Sequence, residues 1–273
     1  MPDIAINYEL LHNLGQQTES LKNRLSDVRQ GQHNFDPMAA GTEAGNAINR
    51  FYQVWNDAFK HAWNLLESLS TTYTTVAQQW FDQDAGFAAT ADQQALGFQH
   101  SMWQATKSEY DNWKKLSQTP FTNYGFDDEG NPYPIQTTLA DPNSPPPRPG
   151  PEPTQWSISS VGFSQQTTSA YNSSGALTAT DAVISDDNGF TYHEHTIFGD
   201  NGSYTSAVTT SDGTKITDTA NGNPDGTGTR TVTTVDSTGK TTVQTYSGTG
   251  VNGSSPTWTE TDHNNDNNDD NNN

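Results

Sequence analysis

The chain reads as α + β in separate segments: an N-terminal helical hairpin or coiled-coil bundle, a Pro-rich linker, a C-terminal antiparallel β-hairpin meander and an Asn/Asp tail. Three observations predict this. Apolar residues recur at heptad spacing through the first part of the chain, ten of the fourteen prolines fall between Pro120 and Pro153, and turn glycines then return every 11 to 13 residues. The expected boundaries are residues 1–119 for the hairpin plus a third helix, 120–153 for the linker, 154–262 for the β segment and 263–273 for a disordered tail.

The first helix is carried by Leu10, Leu14, Leu21, Leu25 and Val28, at steps of 4, 7, 4 and 3, which place them on one helical face. Gly31 stops the pattern, and Asp36-Pro37 resembles an N-cap followed by a first-turn proline, so a bend is expected between Gly31 and Gly45. The second stripe runs through Ile48, Tyr52, Trp55, Phe59, Ala62, Leu66, Leu69, Tyr73, Val76 and Trp80 in alternating steps of 4 and 3. A 3.5-residue repeat implies left-handed supercoiling against partner helices. Trp55, Phe59, Leu66, Leu69 and Tyr73 are the expected packing residues, and flanking Phe51 and Trp63 widen the face beyond a two-stranded seam. The additional partner is either a third amphipathic stretch, with Leu96, Trp103, Tyr110 and Trp113 nearly seven apart, or another chain. Pro120 ends that stretch.

The linker contains Pro145-Pro146-Pro147-Arg148-Pro149, which predicts an extended polyproline-like spacer holding the C-terminal half clear of the helices. Beyond it, Asn188-Gly189, Asn201-Gly202, Asp212-Gly213, Asp225-Gly226 and Thr238-Gly239 punctuate Thr/Val/Tyr-rich runs such as Thr231-Val232-Thr233-Thr234-Val235. Such dipeptides accept positive φ in tight hairpin turns, and the alternation suits a half-solvated ribbon. Residues from His263 onward are almost all Asn and Asp and cannot bury a core.

Composition narrows the function classes. Only 30% of the chain is apolar, against about 45–50% in ordinary domains, so a single large core is not expected. The net charge is −20, and of twelve basic residues only Lys215, Arg230 and Lys240 follow residue 154. That field repels phosphate backbones, which sets nucleic acid aside. No apolar run reaches the roughly 18 residues of a membrane span, and Met1 to Glu9 lacks a basic n-region and an apolar h-region, so no cleaved signal peptide is expected. With no cysteine, thiol chemistry is absent. No Gly-x-Ser-x-Gly, His-Glu-x-x-His or phosphate-cradling loop occurs, so neither an enzyme nor a cofactor is expected. His193-Glu194-His195 puts two imidazoles on one face of a strand without an identifiable third ligand, so no metal site is assigned.

Trp80-Phe81-Asp82-Gln83-Asp84-Ala85-Gly86-Phe87-Ala88 resembles the secretion signal of the WXG family of type VII (ESX) substrates, with Trp80 for the usual tyrosine, Asp84 for the acid and Ala88 for the small residue. Four residues make about one helical turn, so all three share a face, at what the stripe implies is a helix end. The family's Trp-x-Gly element is imperfect, because Trp55-Asn56-Asp57 carries Asp in place of Gly. The resemblance covers about residues 6–90 and implies a non-enzymatic protein that is secreted or surface-exposed. Its implied partner is the type VII machinery or a WXG-like hairpin, of its own or another chain. Tyr171-Asn172-Ser173-Ser174-Gly175 faintly resembles the Tyr-Asp repeats of secreted polymorphic toxins, with Asn172 replacing the Asp. A secreted effector or a surface adhesion module is the alternative reading of the β segment.

Overall fold

The computed structural model describes residues 8–30, 42–160, 162–253 and 255–265. The chain start, the expected bend at 31–41 and residues 266–273 of the tail lie outside the described residues. Two helices precede a large antiparallel β region, as expected: α1 spans Tyr8–Gln30 and α2 spans Thr42–Ser117. The stretch expected to form a third helix is continuous with the second. From Thr42 to Ser117 there is no proline, and Gly86 and Gly97 each cost a helix only about 1 kcal/mol relative to alanine. Pro120 is the first residue that forbids continuation, and Lys114 and Lys115 complement the negative helix end. Among the described residues no helix is long and apolar enough to cross a membrane.

The chain divides into two compact units. The first comprises Met1–Gly86 with Asp186–Thr191. Within it α1 and α2 run antiparallel, since Gly15 lies against Ser70 and Thr74 while Lys22 lies against Glu67 and Trp63. Ser70 donates its hydroxyl to the Gly15 carbonyl at 3.0 Å, and a Cβ at Gly15 would meet the Thr74 hydroxyl, so the missing side chain sets the approach of the helices. Lys22 is buried against Trp63, with its ammonium 2.7 Å from Glu19 and 5.0 Å from the indole centroid. Phe190 is buried between His12, at 4.8 Å, and Phe81, at 5.4 Å. Ala77, Phe81 and Ala85 of α2 are also buried in this unit.

The second unit comprises Phe87–Ser185 with Tyr192–Asn273. A two-stranded sheet pairs β1 (Pro120–Phe126) with β2 (Pro132–Thr138). Nine strands form a second sheet in strict sequence order: β3 Gln155–Ser160, β4 Phe163–Tyr171, β5 Leu177–Asp186, β6 Thr191–Phe198 and β7 Tyr204–Thr210, followed by β8 Lys215–Gly222, β9 Thr227–Val235, β10 Thr241–Thr249 and β11 Thr257–Asn265. β11 takes in His263, which was expected to open the disordered tail.

The proline-rich segment is not a free spacer. Its first part is the β1–β2 pair, because Asp127 and Gly130 build a turn between them. The remainder lies against α2: the Trp113 indole donates to the Asp141 carbonyl at 3.0 Å, the Trp103 indole to the Gly150 carbonyl at 2.9 Å, and His100 Nε2 is 2.9 Å from Glu152 Oε1. Proline-rich backbone has free carbonyls and few N–H donors, so indole N–H groups are its natural partners. Pro146 and Pro149, three residues apart as a polyproline helix repeats, are the partly covered ones in the run.

The tight turns share one form. Six of them close the same five-residue ring, in which the first residue's N–H donates to the fifth carbonyl and the fourth residue, glycine, donates back to the first carbonyl. They begin at Asp127, Asn172, Asp186, Thr210, Asn223 and Asp236. The six glycines hold φ between 81° and 90°, whereas the residue before each has negative φ; among the described non-glycine residues only Asn201, at 56°, is left-handed. In four turns the first side chain caps the ring. Asp127, Asn172, Asp186 and Asp236 each accept, on Oδ1, the N–H groups of the second and fourth residues beyond.

α2 meets β4 through polar groups. Asp92, 5% exposed, accepts from Gln165 Nε2 at 2.5 Å and Thr167 Oγ1 at 3.0 Å, and both donors are themselves buried. Further along the sheet, Asp218 takes a bidentate pair from Arg230 at 2.8 and 2.7 Å and the Tyr204 hydroxyl at 3.0 Å. Burial and the Asp218 charge push the Tyr204 phenol up to about 12.

Asp92→Ala leaves two buried donors unpaired and is expected to destabilise the protein by about 2–3 kcal/mol, with Asp92→Asn, which keeps an acceptor, costing less; denaturant unfolding measures both. The Asp236 carboxyl is held below its ordinary value by the Thr238 hydroxyl and the Lys240 N–H, and that of Asp127 by the Asn131 N–H. A depressed carboxyl contributes stability that is complete above its unfolded pKa of about 3.9 and is lost as pH falls through the folded value. The melting temperature is therefore expected to hold from neutrality to about pH 5 and to fall below about pH 4. Asp236→Asn, which retains the acceptor without the titration, should flatten part of that fall in an acid melting series.

Candidate functional site

In the first unit, some of the apolar side chains that heptad spacing assigns to a seam are left partly open to solvent. α1 exposes Leu10 (57%), Leu14 and Leu21, and α2 exposes Trp55, Leu69 and Trp80 of the stripe, with Phe51 (57%), Val54 (69%) and Leu65 exposed outside it. Phe51, Trp55 and Phe59 form an aromatic ladder up one side of α2, with centroids 5.7 and 5.4 Å apart. Of the expected packing residues, Trp55 is 45% and Leu69 37% exposed, while Phe59, Leu66 and Tyr73 are half-buried. One helix of 23 residues covers only part of the stripe. Burial of this many large side chains would contribute roughly 1.5–3 kcal/mol each, which makes the open stripe a surface suited to association.

Trp80 is 38% exposed, Asp84 is exposed and Ala88 is half-buried. They share a face as expected, but not at a helix end, because α2 continues to Ser117. Trp80 and Asp84 therefore lie within the helix and not at its terminus.

His193 and His195 also share a face, and the structure adds a residue that spacing could not: Asp181 on β5. Its Oδ2 lies 3.0 Å from His193 Nε2 and 3.2 Å from His195 Nδ1. One ring nitrogen of each imidazole is thereby engaged with the same carboxylate oxygen. Among the described residues no group of three or more His, Cys, Asp or Glu is arranged to hold a metal ion. Sequence reasoning also missed the contacts of His100, Trp103 and Glu152; the approach of a proline-rich segment to tryptophans 28 and 47 residues earlier has no local signature.

No protein-family model matches this chain, and no curated protein and no solved structure is significantly similar to it. The surface in the first unit thus stands on its geometry.

Because Trp55 and Leu69 are open while Phe81 is 1% exposed, substitutions should separate association from folding. The pair Trp55→Ser and Leu69→Ser is expected to change stability by only about 0.5 kcal/mol per site, whereas Phe81→Ala should cost about 3–5 kcal/mol. Helical circular dichroism during chemical unfolding reads the difference.

Proposed function

We propose that this chain is a secreted, non-enzymatic interaction protein, exported by a type VII (ESX-like) system through its N-terminal helical hairpin, with the β-hairpin meander as its extracellular interaction module. The observation that carries the reading is the incompletely covered apolar stripe on two antiparallel helices, with Trp80 and Asp84 exposed one turn apart on the longer one. An aromatic ring can fill a receptor pocket, and a carboxylate a turn away can fix its register. The partner this reading calls for is the secretion machinery or a WXG-like hairpin whose own seam completes the heptad packing. It places the protein outside the cell or on its surface without a cleaved signal peptide.

In the native host, Asp84→Ala is expected to lose export while the folded protein accumulates in the cytoplasm, since an exposed Asp contributes little to stability. Fractionated cultures of cells with and without the type VII machine, with a melting curve of the variant, make the measurement. Normal export of a stable Asp84→Ala variant, where wild-type export needs that machine, overturns the assignment.

A further inference from the structure

The second unit contains a cavity of about 590 Å³ between α2, the proline-rich segment and the turn that begins at Asn172. Its chemistry is specific. Gln104 and the hydroxyls of Ser101, Ser108 and Ser173 supply uncharged hydrogen-bonding groups. Lys107 is paired with Asp111 one turn on, and Glu152 Oε1 lies 2.9 Å from His100 Nε2. A lining of this kind neither attracts an anion nor suits an apolar ligand, because hydrogen-bonding groups left unpaired against hydrocarbon are costly.

One wall is aromatic and fixed. The His100 ring, 3% exposed, stacks on Tyr171 at 3.5 Å with 2° between planes, and Trp103 lies against His100 at 5.6 Å and 26°. The Trp103 indole N–H is held by the Gly150 carbonyl, so the ring has no rotational freedom to lose on binding.

Polar groups on the opposite sides are oriented by their neighbours. His100 engages Glu152 Oε1, which leaves Oε2 as a directed acceptor. Asn172 Oδ1 accepts the Ser174 and Ala176 N–H groups and the Ser174 hydroxyl, which turns its amide nitrogen outward as a donor. Of the four turns capped in this way three begin with aspartate, at Asp127, Asp186 and Asp236, and the one lining the cavity begins with asparagine; Asn223 opens a ring that its side chain does not cap in this way. Aspartate caps the ring equally well in the sister turns, so the cap itself does not require the amide.

We propose that this cavity binds a neutral carbohydrate, with a pyranose ring against Trp103 and its hydroxyls shared between Glu152 Oε2 and the Asn172 amide. A flat aromatic ring accepts the C–H face of a sugar, and a fixed acceptor and donor pair matches hydroxyls that both give and take hydrogen bonds. The volume holds one or two sugar residues. The site belongs to the second unit alone and stands whether or not the export reading does.

The test uses the full-length protein in saturation-transfer NMR and titration calorimetry. The probes are the methyl glycosides of glucose, galactose and N-acetylglucosamine, with maltose and cellobiose, and with glucuronate and glucose 6-phosphate as charged controls. At least one neutral sugar is expected to saturate with a Kd below about 10 mM, and the charged analogues to bind more weakly. Asn172→Asp, which the sister turns show to be compatible with the ring, should keep the melting temperature and weaken binding about tenfold or more. Ser108→Trp, which fills the cavity, should abolish it. The proposal is overturned if no neutral sugar saturates, if charged sugars bind best, or if Asn172→Asp folds normally and binds as wild type does.

Discussion

Six hairpins of the β region depend on one backbone constraint: the fourth residue of a five-residue turn must be left-handed, and only glycine takes that conformation without strain. Once Gly130, Gly175, Gly189, Gly213, Gly226 and Gly239 adopt it, the first N–H meets the fifth carbonyl and the register of the flanking strands follows. A one-residue slip would move every Thr and Val to the other face. The sheet therefore does not need a large apolar core to choose its pairing. The caps act on the same ring, since Asp127, Asn172, Asp186 and Asp236 satisfy two N–H groups that the tight turn leaves without strand partners.

With 30% apolar residues, the interior of the second unit is made largely of hydroxyl and carboxylate networks. Glu194 accepts from Tyr192, Thr196 and Ser206, and Asp218 from Tyr204 and Arg230. Asp92, from a helix, reads the same kind of donor on β4. Such networks stabilise only when fully paired, and a half-satisfied one costs more than an apolar contact. They also impose geometry, which is why Thr167, 1% exposed, acts here as a core residue.

The two units offer different surfaces. In the first, large apolar groups sit at the spacing of a helical seam and remain open, which suits recognition by another helix. In the second, indole and imidazole rings immobilise a proline-rich segment and frame a polar recess. The His100–Glu152 contact serves both ends, since it anchors the segment and directs the free carboxylate oxygen.

Local patterns in the chain determined the helical character of the N-terminal part, the strand-and-turn succession beyond the proline-rich segment and the positions of the turn glycines, because heptad spacing, alternation and the φ freedom of glycine act over a few residues. The spacing also identified Trp80 and Asp84 as sharing a face. It could not show that α2 runs on without a break, because the stripe that ends at Trp80 and the one that begins at Leu96 read as separate helices. Nor could it separate a two-residue turn from a five-residue ring, although an Asp or Asn three before the glycine, as in Asp236-Ser237-Thr238-Gly239, marks five of the six rings, Thr210 opening the other. What only the tertiary structure decided was long-range pairing. Asp181 joins His193 and His195, Asp92 finds Gln165, and Trp103 and Trp113 capture residues 141–150. Each of these partners depends on how the strands and the helix pack, and no periodicity within either segment encodes which side chain will stand opposite.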